Sequence, residues 1–156
     1  MILCSIYGNV LLAETMKNKS EDAMVETYQN FMKRLNDAGI FPKKHILDNK
    51  IFKGYKETID ENGMTWELVP VGMHRQNVAE KTAQTFKGHF KYILCGVAED
   101  FPMNLWDRLI PQAELICNIL HQSNVAPKVS AQVYAFGPQD FNRMPLARMG
   151  CAVQIH

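Results

Sequence analysis

The chain has 156 residues, 47% of them hydrophobic, and a formal net charge of +1. That size and composition suit one domain with a real core, and the near-neutral balance excludes a global basic field, so nucleic-acid binding would have to use a local patch. No apolar run approaches the about 20 residues of a membrane span, and Met1-Ile2-Leu3-Cys4 lacks the basic start of a signal peptide.

The cysteines, Cys4, Cys95, Cys117 and Cys151, are far apart and contain no C-x-x-C pair; the histidines, His45, His74, His89, His121 and His156, contain no H-x-x-x-H pair. Zinc knuckles and ribbons are therefore excluded, and reduced thiols are expected in an intracellular protein of the nucleus or cytoplasm, neither secreted nor in a membrane. Charge is uneven along the chain. Arg75, Lys81, Lys87 and Lys91 face Glu80 alone within residues 74 to 91, whereas Glu57, Asp60, Glu61 and Glu67 make the preceding segment acidic.

Two strand-like runs, ILCSIY and VLLAETM, flank the turn dipeptide Gly8-Asn9. Ser20 is an N-cap candidate for a helix with Met24, Tyr28, Phe31, Met32 and Leu35 on one face and Gly39 just past its end. Lys44 to Asp48 reads as a short buried strand. Ile51, Phe52, Tyr55 and Ile59 mark a second helix ending at Asn62-Gly63, and Met64, Trp66 and Leu68 alternate as a strand. A third helix starts near Asn77. It has an apolar stripe of Ala79, Ala83, Phe86, Phe90, Ile93 and Leu94 opposite a polar face of Glu80, Gln84, Lys87 and Lys91. A fourth is expected from about Asn104 to His121, kinked at Pro111, with Trp106, Leu109, Ile110, Ala113, Ile116, Cys117 and Leu120 inward. Trp106 and the methionines are assigned to the core. The tail from Ser130 holds one last strand candidate, Cys151 to Ile155. Strands first and helices alternating afterwards imply a mixed α/β sheet.

Asp48 alone reads as a strand-end residue, and Glu80 alone as a carboxylate favoured by the positive end of a helix. Together they are two acids from separate elements, with Gln84, Lys87 and Lys91 beside one of them. Such a set suits a divalent cation held against a phosphodiester. The blocks VLLAETMKNKS, ILDNK, MHRQNVAEKTAQTFKGHF, NLWDRLIPQAELICNIL and SAQVYAFGPQDFNRMPLARMGCAVQIH resemble, in that order, the integrase region of Pol polyproteins from LTR retrotransposons. The chain departs from the family pattern at Lys50, where Gly or Glu is common.

The resemblance implies an RNase H-like fold, a mixed sheet flanked by helices, with a truncated catalytic core over 1–125 and a trailing segment over 126–156. It matches Asp48 to the second acid and Glu80 to the third acid of an Asp-Asp-Glu triad that holds Mg²⁺ or Mn²⁺. It matches Lys87 to a basic position that in the family contacts DNA ends, and implies DNA partners, both retroelement ends and target, in a possible homodimer; His74 and Arg75, in the loop before Glu80, and Gln84 and Lys91, on the Glu80 face, are expected to position that DNA. The first triad aspartate and its central strand have no counterpart here: residues 1 to 13 contain no acid. The expectation is therefore a strand-transfer domain that is inactive alone, with weak metal binding. The alternative is a non-catalytic, nucleic-acid-binding or dimerising remnant. A small-molecule α/β enzyme is disfavoured, because no G-x-G-x-x-G, P-loop or G-x-S-x-G is present. Without the central strand, ILCSIY and HILD are expected either to re-pair or to keep exposed edges, leaving a marginally stable, aggregation-prone chain.

Overall fold

The computed structural model describes residues 1–48, 51–70, 78–148 and 151. β1 (Ile2–Ser5) and β2 (Val10–Ala13) form an antiparallel hairpin with Leu3 opposite Leu12. The turn falls at the expected dipeptide: Asn9 has a φ of 54°, a left-handed conformation that asparagine tolerates better than most residues. Gly8 is packed so closely on the trailing segment that an added Cβ would sit 2.8 Å from the Tyr134 ring.

α1 (Glu21–Asp37) has the ends expected of it. The Ser20 side chain accepts from the Ala23 N–H at 3.3 Å, and Glu21 and Asp22 lie in the first turn. At the other end the Ile40 N–H returns to the Leu35 carbonyl at 2.8 Å, around Gly39 with a φ of 72°. Tyr28, Phe31, Met32 and Leu35 are buried along one face.

β3 (Lys44–Leu47) and β4 (Thr65–Leu68) run parallel, joined through α2 (Lys53–Glu61), with His45 opposite Trp66. β3 is less buried than expected, for only Leu47 is out of solvent. The reason is that Leu47 and Trp66 pack toward α1 and α2, while Lys44, Ile46, Thr65 and Glu67 on the other face stay exposed. Lys44 and Glu67 pair there at 2.7 Å.

The class is α/β, but the described strands do not make one mixed sheet. They form two separate two-stranded sheets, β1-β2 and β3-β4, so ILCSIY and HILD have not re-paired with each other. One core cluster joins them, built on Tyr28, Phe31 and Leu35 and including Val10, Leu12, Leu47, Tyr55 and Ile59. A second cluster, Leu11, Ala13, Phe86, Ala113 and Cys117, lies on the hairpin's opposite face.

That second cluster is formed by α3 (Val78–Cys95) and α4 (Ile110–Leu120). The expected kinked helix is instead two elements: a 3-10 helix, Met103–Leu109, followed by α4. Pro111 starts α4 rather than kinking it, because a first-turn residue has no intrahelical acceptor for an N–H in any case. Trp106 is not core; it is 47% exposed and meets Phe90 edge-on, with ring centroids 6.1 Å apart. Leu120, Met103 and Met144 are exposed as well. Along α3 only Phe86 is buried, since the helix lies over the hairpin at the rim of the second cluster. α5 (Ala131–Phe136), within the trailing segment, was not foreseen; Ser130 caps it, and Ala131 and Ala135 enter the first cluster. Of the last strand candidate, residues 152–156 lie outside the described residues.

Candidate functional site

Asp48 follows the buried Leu47 at the C-terminal end of β3, and its side chain is exposed. Glu80 stands in the first turn of α3, where the positive end of the helix favours a carboxylate. Residues 80, 84, 87 and 91 fall within about 60° of arc on an α-helix. Glu80, Gln84, Lys87 and Lys91 therefore share one face, and all four are exposed.

The opposite face anchors the helix. Thr82 lies by the Cys4 thiol of β1, whose pKa burial raises and Thr82 lowers in part. Phe86 is buried and stacks on Phe90 at 6.1 Å, and Ile93 packs on the second cluster. Packing thus fixes which side of α3 looks outward. The side chains of Glu80, Gln84, Lys87 and Lys91 make no hydrogen bond or ion pair with another described residue, so their charges and amides are available to a ligand.

The structure brings together the α3 set. His74 and Arg75, expected in the loop before it, lie outside the described residues. Among the described residues no three of His, Cys, Asp and Glu converge where a metal ion would sit. A hard divalent cation takes about six oxygen ligands, so Asp48 and Glu80 would leave most of the coordination to water. The described donor set does not fit a two-metal centre.

Two functional side chains escaped the sequence reading. Glu114 and Asn118, four residues apart on α4, are buried against the outer edge of β2. Asn118 accepts from the Leu11 N–H at 2.8 Å and its amide donates to the Leu11 carbonyl at 2.8 Å. Glu114 accepts from the Ala13 N–H at 2.7 Å and from the Arg34 guanidinium. Together they stand in for a neighbouring strand and satisfy the edge. The available signal was a polar pair at i, i+4 beside an otherwise apolar helical stripe, QAELICNIL.

A second polar cluster borders the first core cluster. His45 Nε2 lies 3.1 Å from the Tyr28 hydroxyl and 3.3 Å from Met64 Sδ. Burial lowers the His45 pKa and raises that of Tyr28. His121, at the end of α4, is also lowered, by burial first and then by His89. No helix of the described residues is long and apolar enough to cross a membrane. No protein-family model and no curated protein sequence matches the chain.

Proposed function

We propose that this chain is an integrase-like domain of the RNase H-like kind that holds DNA on the exposed face of α3, and that its own residues do not suffice for strand transfer. The observation that carries the reading is the unpaired set Gln84, Lys87 and Lys91, aligned on the face that packing turns outward. Two ammonium groups along one helix face track successive phosphates, displacing condensed counterions, and the Gln84 amide donates to a phosphate oxygen. Glu80 lies on the same face and repels phosphate, so its charge tempers DNA binding rather than promoting it.

The order of elements supports the fold assignment: an antiparallel hairpin, a helix, a strand, a helix, and a strand parallel to the one before. Two carboxylates on separate elements support descent from a phosphodiester-transfer site.

Fluorescence anisotropy with a labelled DNA duplex tests the reading. Reversing charge in the Lys87→Glu/Lys91→Glu variant is expected to weaken binding by about tenfold or more, uniformly across sequences. Glu80→Gln is expected to bind as well as the parent or more tightly. Equal binding by the parent and the charge-reversed chain would overturn the DNA assignment. Joining of retroelement-like ends to target DNA by the purified chain with Mg²⁺ or Mn²⁺ would overturn the claim of insufficiency.

A further inference from the structure

Three elements bring three donor atoms to one point at the rim of the first core cluster. Tyr28 lies in the middle of α1, His45 is the second residue of β3, and Met64 directly precedes β4. His45 Nε2 stands 3.1 Å from the Tyr28 hydroxyl and 3.3 Å from Met64 Sδ, and hydroxyl and sulfur are 3.9 Å apart. The backbone sets this meeting: β3 and β4 pair with His45 opposite Trp66, and the Met64 N–H is held by the Ile59 carbonyl of α2 at 3.2 Å. Tyr28 is fully buried, with the Tyr55 ring tilted against it at 4.9 Å, whereas His45 and Met64 are half-buried. The hydroxyl is thus fixed in the core, while the nitrogen and sulfur can be reached from solvent. Hydrogen bonding among the three leaves one contact poor in either tautomer. With Nε2 bare, it accepts from Tyr28, and the sulfur then turns lone pairs toward a nitrogen whose own lone pair is taken. With Nε2 protonated, the acceptor left for the Tyr28 proton among the described residues is the sulfur, a weak one at 3.9 Å.

We propose that His45 Nε2 and Met64 Sδ, with the Tyr28 hydroxyl as a third donor, form a site for one soft monovalent metal ion of the Cu(I) kind. Bonds of about 2.0 Å to nitrogen and about 2.3 Å to sulfur place two ligands of one ion roughly 3.3–3.7 Å apart, for angles of about 100–120°. The nitrogen–sulfur separation of 3.3 Å falls in that range, and the hydroxyl lies close enough to complete a three-sided shell. Imidazole suits copper, and thioether sulfur selects its monovalent state. The trio contains no carboxylate or thiolate, so nothing in it offsets a second positive charge, and hard divalent ions, which require several oxygen ligands, are disfavoured. Burial lowers the His45 pKa, which leaves the imidazole unprotonated, as a ligand must be, at neutral pH. The site shares no residue with the outward face of α3 and does not depend on the DNA reading.

NMR on the full chain tests it, with isotope-labelled methionine methyls and histidine rings, Cu(I) added in the absence of oxygen, and the exposed thiols removed as Cys95→Ser/Cys151→Ser. Cu(I) is raised beyond what the remaining thiols, Cys4 and Cys117, can take. The Met64 methyl and His45 Nε2 resonances are expected to shift together, as one saturable event. Met64→Leu keeps the side-chain volume, and His45→Gln keeps a hydrogen-bond partner for Tyr28. Each is expected to weaken binding by about tenfold or more, read on the ligand that remains. Met64 and His45 resonances that stay in place while Cu(I) is in excess would overturn the proposal. So would equal affinity in the parent and in Met64→Leu. Zn²⁺ in the same titration is expected to move neither resonance; shifts as large as those with Cu(I) would overturn the choice of a soft monovalent ion.

Discussion

Asn118 holds Leu11 by both backbone groups, each bond 2.8 Å long, at a site where both residues are completely buried. Four residues earlier, Glu114 does the same for the Ala13 N–H. Asn118→Ala would strand a buried donor and a buried acceptor together, at an expected cost of about 2–4 kcal/mol. Glu114→Ala strands the Ala13 N–H and is expected to cost about 2 kcal/mol, whereas Glu114→Gln keeps an acceptor and costs less. Urea denaturation midpoints read the difference. An Asn118→Ala chain as stable as the parent would show that the edge is not held in this way.

The four thiols divide by environment. Cys117 is fully buried, and burial together with the neighbouring Glu114 charge raises its pKa to about 11. Cys95 and Cys151 are exposed. Iodoacetamide at pH 8 is expected to modify Cys95 and Cys151 in the folded chain and to reach Cys117 only after unfolding, because the thiolate is the reactive species. Mass spectrometry of the alkylated chain checks this; early labelling of Cys117 would contradict the packing of α4.

Stability is expected to fall on mild acidification. Burial depresses the folded-state pKa of His45 and His121 below the ordinary value of 6.5. As pH falls below that value the unfolded chain takes up protons that the folded chain still refuses, so unfolding is favoured; above it the penalty is absent. Burial also lowers the pKa of the Met1 ammonium from its ordinary 8.0, so denaturation midpoints should begin to decline near pH 8 and fall more steeply from about pH 6.5 downward, before most carboxylates titrate. A His45→Gln/His121→Gln variant should show a shallower decline. Stability that rises between pH 7 and 5.5 would be the opposite of this expectation.

Local signals in the chain were legible where one residue sets one conformation. Ser20 caps α1, Gly39 and Gly63 take positive φ after helix ends, and Gly8-Asn9 turns the hairpin. Stripes at helical period located α1 through α4. What sequence did not disclose depends on which surface finally covers a residue. Trp106 and Leu120 lie on an apolar pattern, yet both stay exposed, Trp106 meeting Phe90 only edge-on; Glu114 and Asn118 look like surface residues until β2 offers them unpaired backbone. Pro111 was placed mid-helix because the 3-10 segment before it carries the same apolar spacing. Of the candidate site, the shared face of Glu80, Gln84, Lys87 and Lys91 follows from spacing alone. That it faces outward follows from Phe86 and Thr82 being drawn to the hairpin.

The most direct measurement is the salt dependence of duplex binding by the parent and by Lys87→Glu/Lys91→Glu. Binding through phosphates gives a linear fall of log affinity with log salt, steeper by about 0.9 for each phosphate neutralised. The account expects such a slope for the parent and one shallower by about 1.8 in the variant. A parent slope near zero, or an identical slope in the two proteins, would contradict the assignment of DNA binding to α3.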